Sequence, residues 1–240
     1  VTTAQTKAEE QQAAQIALIA LMLKDFAKIW HLLTPSELDR SLPAWVTAIH
    51  AIVARYGSMS AALAADHYEE ARLAAKARGQ FTVQLPGDPA EGLVDTGMRW
   101  ATRDVWSRDP ETLPDRVKSA RTMAENVAIK EVIDMARITT VDAVHEDPEA
   151  VGWARIARPN ACYFCRMLTT RGGVYTAETV KFRAHNGCHC TAEPVFRGQL
   201  WEPSARVREW NAQYQRASKM KGDTLKNLRR IVEGRETPAT

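Results

Sequence analysis

Apolar residues recur along the first half of the chain at helical steps. Ile16, Ile19, Leu23, Phe26, Ile29 (or Trp30) and Leu33 fall three or four apart, which predicts one amphipathic helix over residues 5–33. Thr34-Pro35-Ser36-Glu37 reads as a new helix start, with Thr34 as cap, Pro35 in the first turn and Glu37 reaching back. Pro43 opens a stretch through Trp45, Ile49, Ile52, Val53 and Tyr56 that Gly57 is placed to end. A further helix, capped by Ser58 or Ser60, runs through Leu63, Tyr68 and Leu73 to Gly79. Phe81–Leu85 alternates like a short strand, and Pro86-Gly87-Asp88-Pro89 is a turn. Helical patterning resumes over 90–106 and again from Pro114 to Arg137.

Near His145-Glu146-Asp147-Pro148 the helical period stops. Residues 151–157 and 191–196 read as strands. Ser204 to about Ala217 is helical, with Val207, Trp210 and Tyr214 on one face, and Asp223 caps a last helix. The tail from Gly234 is expected to be disordered. No internal repeat is visible. The fold class is therefore mainly α: a helical region over 1–148, a small α+β module over 149–200, and basic C-terminal helices with a tail over 201–240. The apolar run Ile16–Leu23 is too short to span a bilayer and meets Lys24, Asp25 and Lys28 at once, so no membrane role is expected.

Composition is ordinary for a globular chain: 240 residues, 45% hydrophobic and 25% charged. Charge is unevenly spread. Residues 1–149 hold 16 Lys/Arg against 22 Asp/Glu, a net of −6, and residues 150–240 hold 16 against 7, a net of +9. A basic C-terminal region suits an acidic partner. Arg197, Arg206, Arg208, Arg216, Lys219, Lys221, Lys226, Arg229 and Arg230 are the candidates for sequence-independent contact with DNA phosphates. Interleaved Glu202, Glu209, Asp223 and Glu233 suit an ordinary solvated helix face equally.

All four cysteines lie between 162 and 190. Cys162-Tyr163-Phe164-Cys165 is followed, nineteen residues later, by His185-Asn186-Gly187-Cys188-His189-Cys190. A Cys-x-x-Cys turn aims two thiolates at one point, and a second turn can supply the rest of a tetrahedral set. The reading is one structural Zn2+ per chain, held by four of Cys162, Cys165, His185, Cys188 and Cys190. Cys162 and Cys165 are the surest, Cys188 follows, and His185 competes with Cys190 for the last place. Two disulfides, a redox pair and a catalytic zinc remain as alternatives. The deaminase pattern is not met, since Pro159 is not adjacent to Cys162 and His145-Glu146 is misspaced. His31, His50, His67 and His145 have no partner at ligand spacing, and the acidic stretch Asp104, Asp109, Glu111, Asp115 suggests no paired acid and base. No catalytic residue is assigned, and a non-enzymatic role is expected.

These motifs carry a resemblance. Trp153-Ala154-Arg155-Ile156, Cys162 to Leu168, Arg171-Gly172-Gly173-Val174-Tyr175, the late His-x-x-Cys-x-Cys and Glu193-Pro194-Val195-Phe196 stand in the order found in MuF-like minor head proteins of tailed phages. The chain resembles that phage Mu head-morphogenesis family, in the version carried by actinobacteriophages, over residues 150–200. The resemblance implies a minor capsid protein acting in head assembly or DNA packaging and delivery. Its expected partners are the portal protein and the capsid, with nonspecific contact to packaged DNA. Its expected location is inside the virion head, and the host cytoplasm during assembly. The rival readings are a zinc-knuckle DNA-binding module and a zinc-dependent hydrolase or nuclease.

Overall fold

The computed structural model describes residues 3–106, 109–176, 182–199 and 201–235. Helix α1 (Thr3–Ile29) follows the first apolar stripe, rotated by one residue. Its buried face is Gln15, Leu18, Ile19, Met22 and Phe26, while Ile16 and Leu23 are half-buried. A glutamine tolerates this burial because its amide is satisfied. Ser60 Oγ donates to Gln15 Oε1 at 2.7 Å, and Gln15 Nε2 donates to the Ser60 carbonyl at 2.9 Å.

After short 3-10 turns comes α2 (Leu38–Ala74), one unbroken helix of 37 residues. The expected stop at Gly57 does not occur. A Cβ there would come within 3.1 Å of Met135 and 3.2 Å of Pro89, so the glycine admits close packing instead of capping. Ser60 is correspondingly a buried mid-helix residue and not a cap. At Thr34–Glu37 the expected capping box is also missing: Thr34 makes no side-chain cap, and its N–H is taken by Ser41 Oγ at 3.0 Å. Residues 81–85 form no strand, since no described segment pairs with them.

Helix α3 (Glu91–Thr102) leads through a 3-10 turn to α4 (Leu113–Glu146), which continues nine residues beyond the expected end. α1 to α4 share one core in which Trp45 is fully buried. It meets Phe26 and Trp30 edge-on at 6.1 and 5.4 Å between ring centroids.

The last turns of α4 pack on a two-stranded antiparallel sheet, β1 (Ala150–Ile156) and β2 (Thr191–Phe196), in the register Ile156 to Thr191 and Trp153 to Pro194. Trp153 lies between Tyr175 at 4.4 Å and Phe182 at 5.1 Å, both stacked. Two buried contacts fasten α2 to this part: an ion pair from Arg72 Nε to Asp147 at 2.8 Å, and a hydrogen bond between His67 Nε2 and Glu193 at 2.6 Å. Between the strands lies α5 (Tyr163–Thr169), and after them α6 (Ala205–Lys219) and α7 (Thr224–Val232). Ser204 and Asp223 cap the last two through the Val207 and Lys226 amides, as their residue types predict. The tail beyond residue 235 lies outside the described residues.

Candidate metal centre

Cys162 is the N-cap of α5, and its sulfur accepts from the Cys165 amide at 3.5 Å. One helical turn thus carries both sulfurs to the same side. The second arm is the turn 185–188, where Cys188 N–H donates to the His185 carbonyl at 3.1 Å. Gly187 is required there twice over. Its φ is +73°, and an added Cβ would lie 2.5 Å from Asn126 Oδ1 of α4. The Gly187 amide donates to the Asn126 carbonyl at 2.9 Å, which seats this arm on α4.

The fold brings all five predicted ligands together. Cys162 Sγ is 3.2 Å from His185 Nε2, and Cys165 Sγ is 3.8 Å from the same nitrogen and 3.6 Å from Cys188 Sγ. Donor atoms within 4.8 Å of one another form two triads, Cys162/Cys165/His185 and Cys165/Cys188/Cys190, with Cys165 common to both. The Cys165–Cys188 separation is far beyond a disulfide bond, and all four cysteines are free thiols. His189 belongs to neither triad, as expected if its neighbours bind.

Electrostatics mark this as a place for a cation. Packed thiols cannot all ionise side by side. Hydrogen bonding from Cys165, with His185 contributing, holds Cys162 down at about 5. Cys165 is pushed up by the bonds it gives Cys162 and Cys188 and by burial. Cys188 is held far below its usual range by Cys165 and Cys190, with the Arg137 charge assisting. For Cys190 the bond with Cys165 pulls down, but Cys188 and burial prevail and leave it at about 12. Packed this closely, the thiols compete for their protons, a conflict that a divalent ion would remove. His185 is set to offer Nε2, since its Nδ1 lies 2.8 Å from the Asn186 carbonyl and donates to it.

Sequence reasoning missed the support behind the ligands. Arg137 of α4 is 1% exposed. It donates from Nε to the Cys190 carbonyl and from Nη2 to the Cys188 carbonyl, each at 2.9 Å, and from Nη1 to Asp134 at 2.6 Å. The signal for it was present: Ile129, Ile133 and Arg137 follow at steps of four, so the guanidinium falls on the buried face.

The nine basic candidates are scattered around the C-terminal part. Arg208, Arg216, Lys219, Lys221, Lys226, Arg229 and Arg230 are exposed on α6, α7 and the segment between them. Arg229 pairs with Glu233 at 2.8 Å, and the half-buried Arg206 pairs with Glu9 of α1 at 3.5 Å. Arg197 is exposed after β2, and its amide donates to the Glu149 carbonyl. Among the described residues no helix is long and apolar enough to cross a membrane.

A mainly helical protein, with a Cys/His cluster able to hold a metal ion near its C-terminal end, is the class that fold and site define. A family model described as VG15 protein matches residues 2–217, nearly the whole chain, and the protein belongs to that phage-associated virion family. No match was found among curated proteins or among solved structures.

Proposed function

We propose that this protein is a minor head protein of a tailed phage, of the MuF-like kind, docked near the portal and acting in head assembly or DNA packaging and delivery. Membership of a virion-associated family over residues 2–217 carries the reading. The order of motifs from Trp153 to Phe196 supports its finer form.

In this reading the Cys/His cluster holds one structural Zn2+. The donor set fits that ion: four sulfurs and an imidazole on two arms, with thiols whose protons already compete. Zinc supplies a fixed, redox-inert crosslink between the α5 turn and the turn 185–188. Five donors for four tetrahedral places favour a closed site over one with a position open to substrate, so the role is structural and not enzymatic. Cys162 and Cys165 orient one arm, Asn126 and Arg137 brace the other, and His185 Nδ1 holds the ring's tautomer.

The test is mass spectrometry of purified virions together with a zinc assay on the isolated protein. The expected results are this chain at low copy number relative to the major capsid protein, about one zinc per chain, and capture by immobilised portal protein. A chain absent from virions, or one that ignores the portal, refutes the head assignment. Metal-free protein with an unchanged melting curve refutes the zinc.

A further inference from the structure

We propose that the cleft between the start of α1 and the end of α2 is a binding site for a primary ammonium carried on a short alkyl chain. The cleft is separate from the Cys/His cluster and independent of the head assignment. Lys7 meets Glu70, Gln15 meets Ser60 and Asp25 meets Tyr56, so the two helices run antiparallel. Each faces the cleft with a stripe at three- and four-residue steps, from Lys7 to Ala14 on α1 and from Leu63 to Glu70 on α2. Facing stripes of this kind ordinarily carry apolar side chains that close the gap. Here Ala14 and Leu63 are the apolar members, and a space of about 280 Å³ stays open.

The decisive group is Gln11, which lines the cleft and is only 8% exposed. The other buried glutamines of α1 use their amides inside the protein. Gln12 Nε2 donates to the Ile156 carbonyl at 2.9 Å, and Gln15 Nε2 donates to that of Ser60. The Gln11 amide bonds to no described residue, and neither of its polar atoms is shut off from solvent, so both open on the cleft. His67, equally buried, forms part of the α2 wall. Its Nε2 is held by Glu193 at 2.6 Å, which fixes the ring and leaves Nδ1 without a partner.

Charge sets the sign of the ligand. Glu10, Asp66 and Glu70 bring three carboxylates to the cleft against one cation, Lys7, which is engaged with Glu70 at 3.2 Å. Glu10 and Asp66 pair with no cation among the described residues. A carboxamide oxygen and two spare carboxylates are acceptors for a cation that carries N–H groups. A metal ion fits less well: among the described residues no three carboxylate or imidazole donors of this cleft come within 4.8 Å of one another. The space is near the lower end for small-ligand pockets, about 300 Å³, and Ala14 and Leu63 offer methylenes an apolar surface.

The experiment is calorimetric titration of the full chain, as purified, with butylammonium, Nα-acetyl-lysine methylamide, tetramethylammonium and magnesium chlorides at matched ionic strength. Butylammonium should bind saturably. Tetramethylammonium, which has the charge but no N–H, should bind at least roughly tenfold more weakly. Tighter binding of the lysine derivative than of butylammonium assigns the site to a protein side chain, and the reverse assigns it to a free amine. Asp66→Asn, an exposed change, should keep the fold by circular dichroism and weaken butylammonium several-fold. Gln11→Leu should weaken it roughly tenfold, and Lys7→Met, which removes the competing cation, should tighten it. Tetramethylammonium or magnesium binding as tightly as butylammonium overturns the class of ligand. No saturable response to either amine overturns the site, as does an Asp66→Asn variant with unchanged affinity, even where Gln11→Leu fails to fold.

Discussion

Replacing Arg137 by Met tests how the centre is held. The change keeps an apolar stem of similar length on α4 and removes the guanidinium. Two carbonyls, those of Cys188 and Cys190, then lose their donor inside the protein, where water cannot replace it. Hydrogen bonds from a charged donor are worth about 1.5–3 kcal/mol each, so the loss should be about 3–6 kcal/mol. The ion pair with Asp134 adds little to this, because Lys130 Nζ lies 2.7 Å from the same carboxylate and keeps it partnered. Arg137→Lys should recover only part of the loss, since one ammonium replaces a planar fork that reaches both carbonyls. Urea unfolding gives the stability, and competition with a chromophoric chelator gives the zinc affinity. Support behind the ligands of this kind is worth about 10–100-fold in metal affinity. If Arg137→Met unfolds within about 1 kcal/mol of the parent and binds zinc equally well, the clamp has no energetic role.

Other substitutions probe the ligand set, the helical core and the α2–β2 junction. Cys165→Ser should be the most damaging single ligand change, since Cys165 is common to both triads, whereas either His185→Ala or Cys190→Ser should retain the ion; bound zinc per chain and the thiolate bands of the cobalt-substituted protein read this out. Trp45→Ala should cost about 3–5 kcal/mol, as for other buried aromatics, and should shift unfolding of the α1–α4 core; a loss below about 1 kcal/mol would contradict its packing against Phe26 and Trp30. Glu193 is buried, and burial raises its pKa above the usual 4.5 against the opposing bond to His67. The folded protein therefore holds this proton more tightly than the unfolded chain, so its contribution is fully present below pH 4.5 and is lost as pH rises through the folded value. Glu193→Gln cannot ionise and should gain stability relative to the parent over that rise; denaturation midpoints across pH that diverge in the opposite direction refute the assignment.

The helices and the Cys/His cluster were legible in the sequence because both are written locally. Periodicity marks the buried face of α2 from Trp45 to Tyr56, and Ser204 and Asp223 cap helices because their side chains reach amides three residues on. The Cys-x-x-Cys and His-x-x-Cys-x-Cys spacings mark out the two arms of the cluster before any fold is known. Illegible features depend on partners distant along the chain. Gly57 looks like a stop until Met135 and Pro89 press against it. Residues 81–85 alternate like a strand, yet alternation does not create a pairing edge. Gln15 with Ser60, His67 with Glu193 and Arg137 with Cys188 and Cys190 join residues 45, 126 and about fifty positions apart. Each residue has an ordinary solvent-facing role in its own segment, and only tertiary packing buries it.

The same packing suits the proposed metal to this part of the chain. The α1–α4 core is built from large side chains, Trp45, Phe26, Met22, Ile49 and Ile133 among them. Around the ligands the buried set is Ala157, Ala161, Cys165, Cys188, Cys190 and Trp210, in which three of the six residues are cysteines. Alanines and thiols remove little apolar area from water, so hydrophobic burial there is weak. Protonated thiols fill that space as small hydrophobes, whereas the same sulfurs gathered on one divalent ion couple its binding energy directly to folding. Stripping the ion should therefore loosen α5, the turn 185–188 and α6 well before the α1–α4 core. Hydrogen exchange of the chelated protein would show this as lost protection beyond about residue 155, with Trp45's surroundings unchanged. Uniform loss across both parts would mean that α4, which carries Asn126 and Arg137, transmits the centre's stability to the entire helical body.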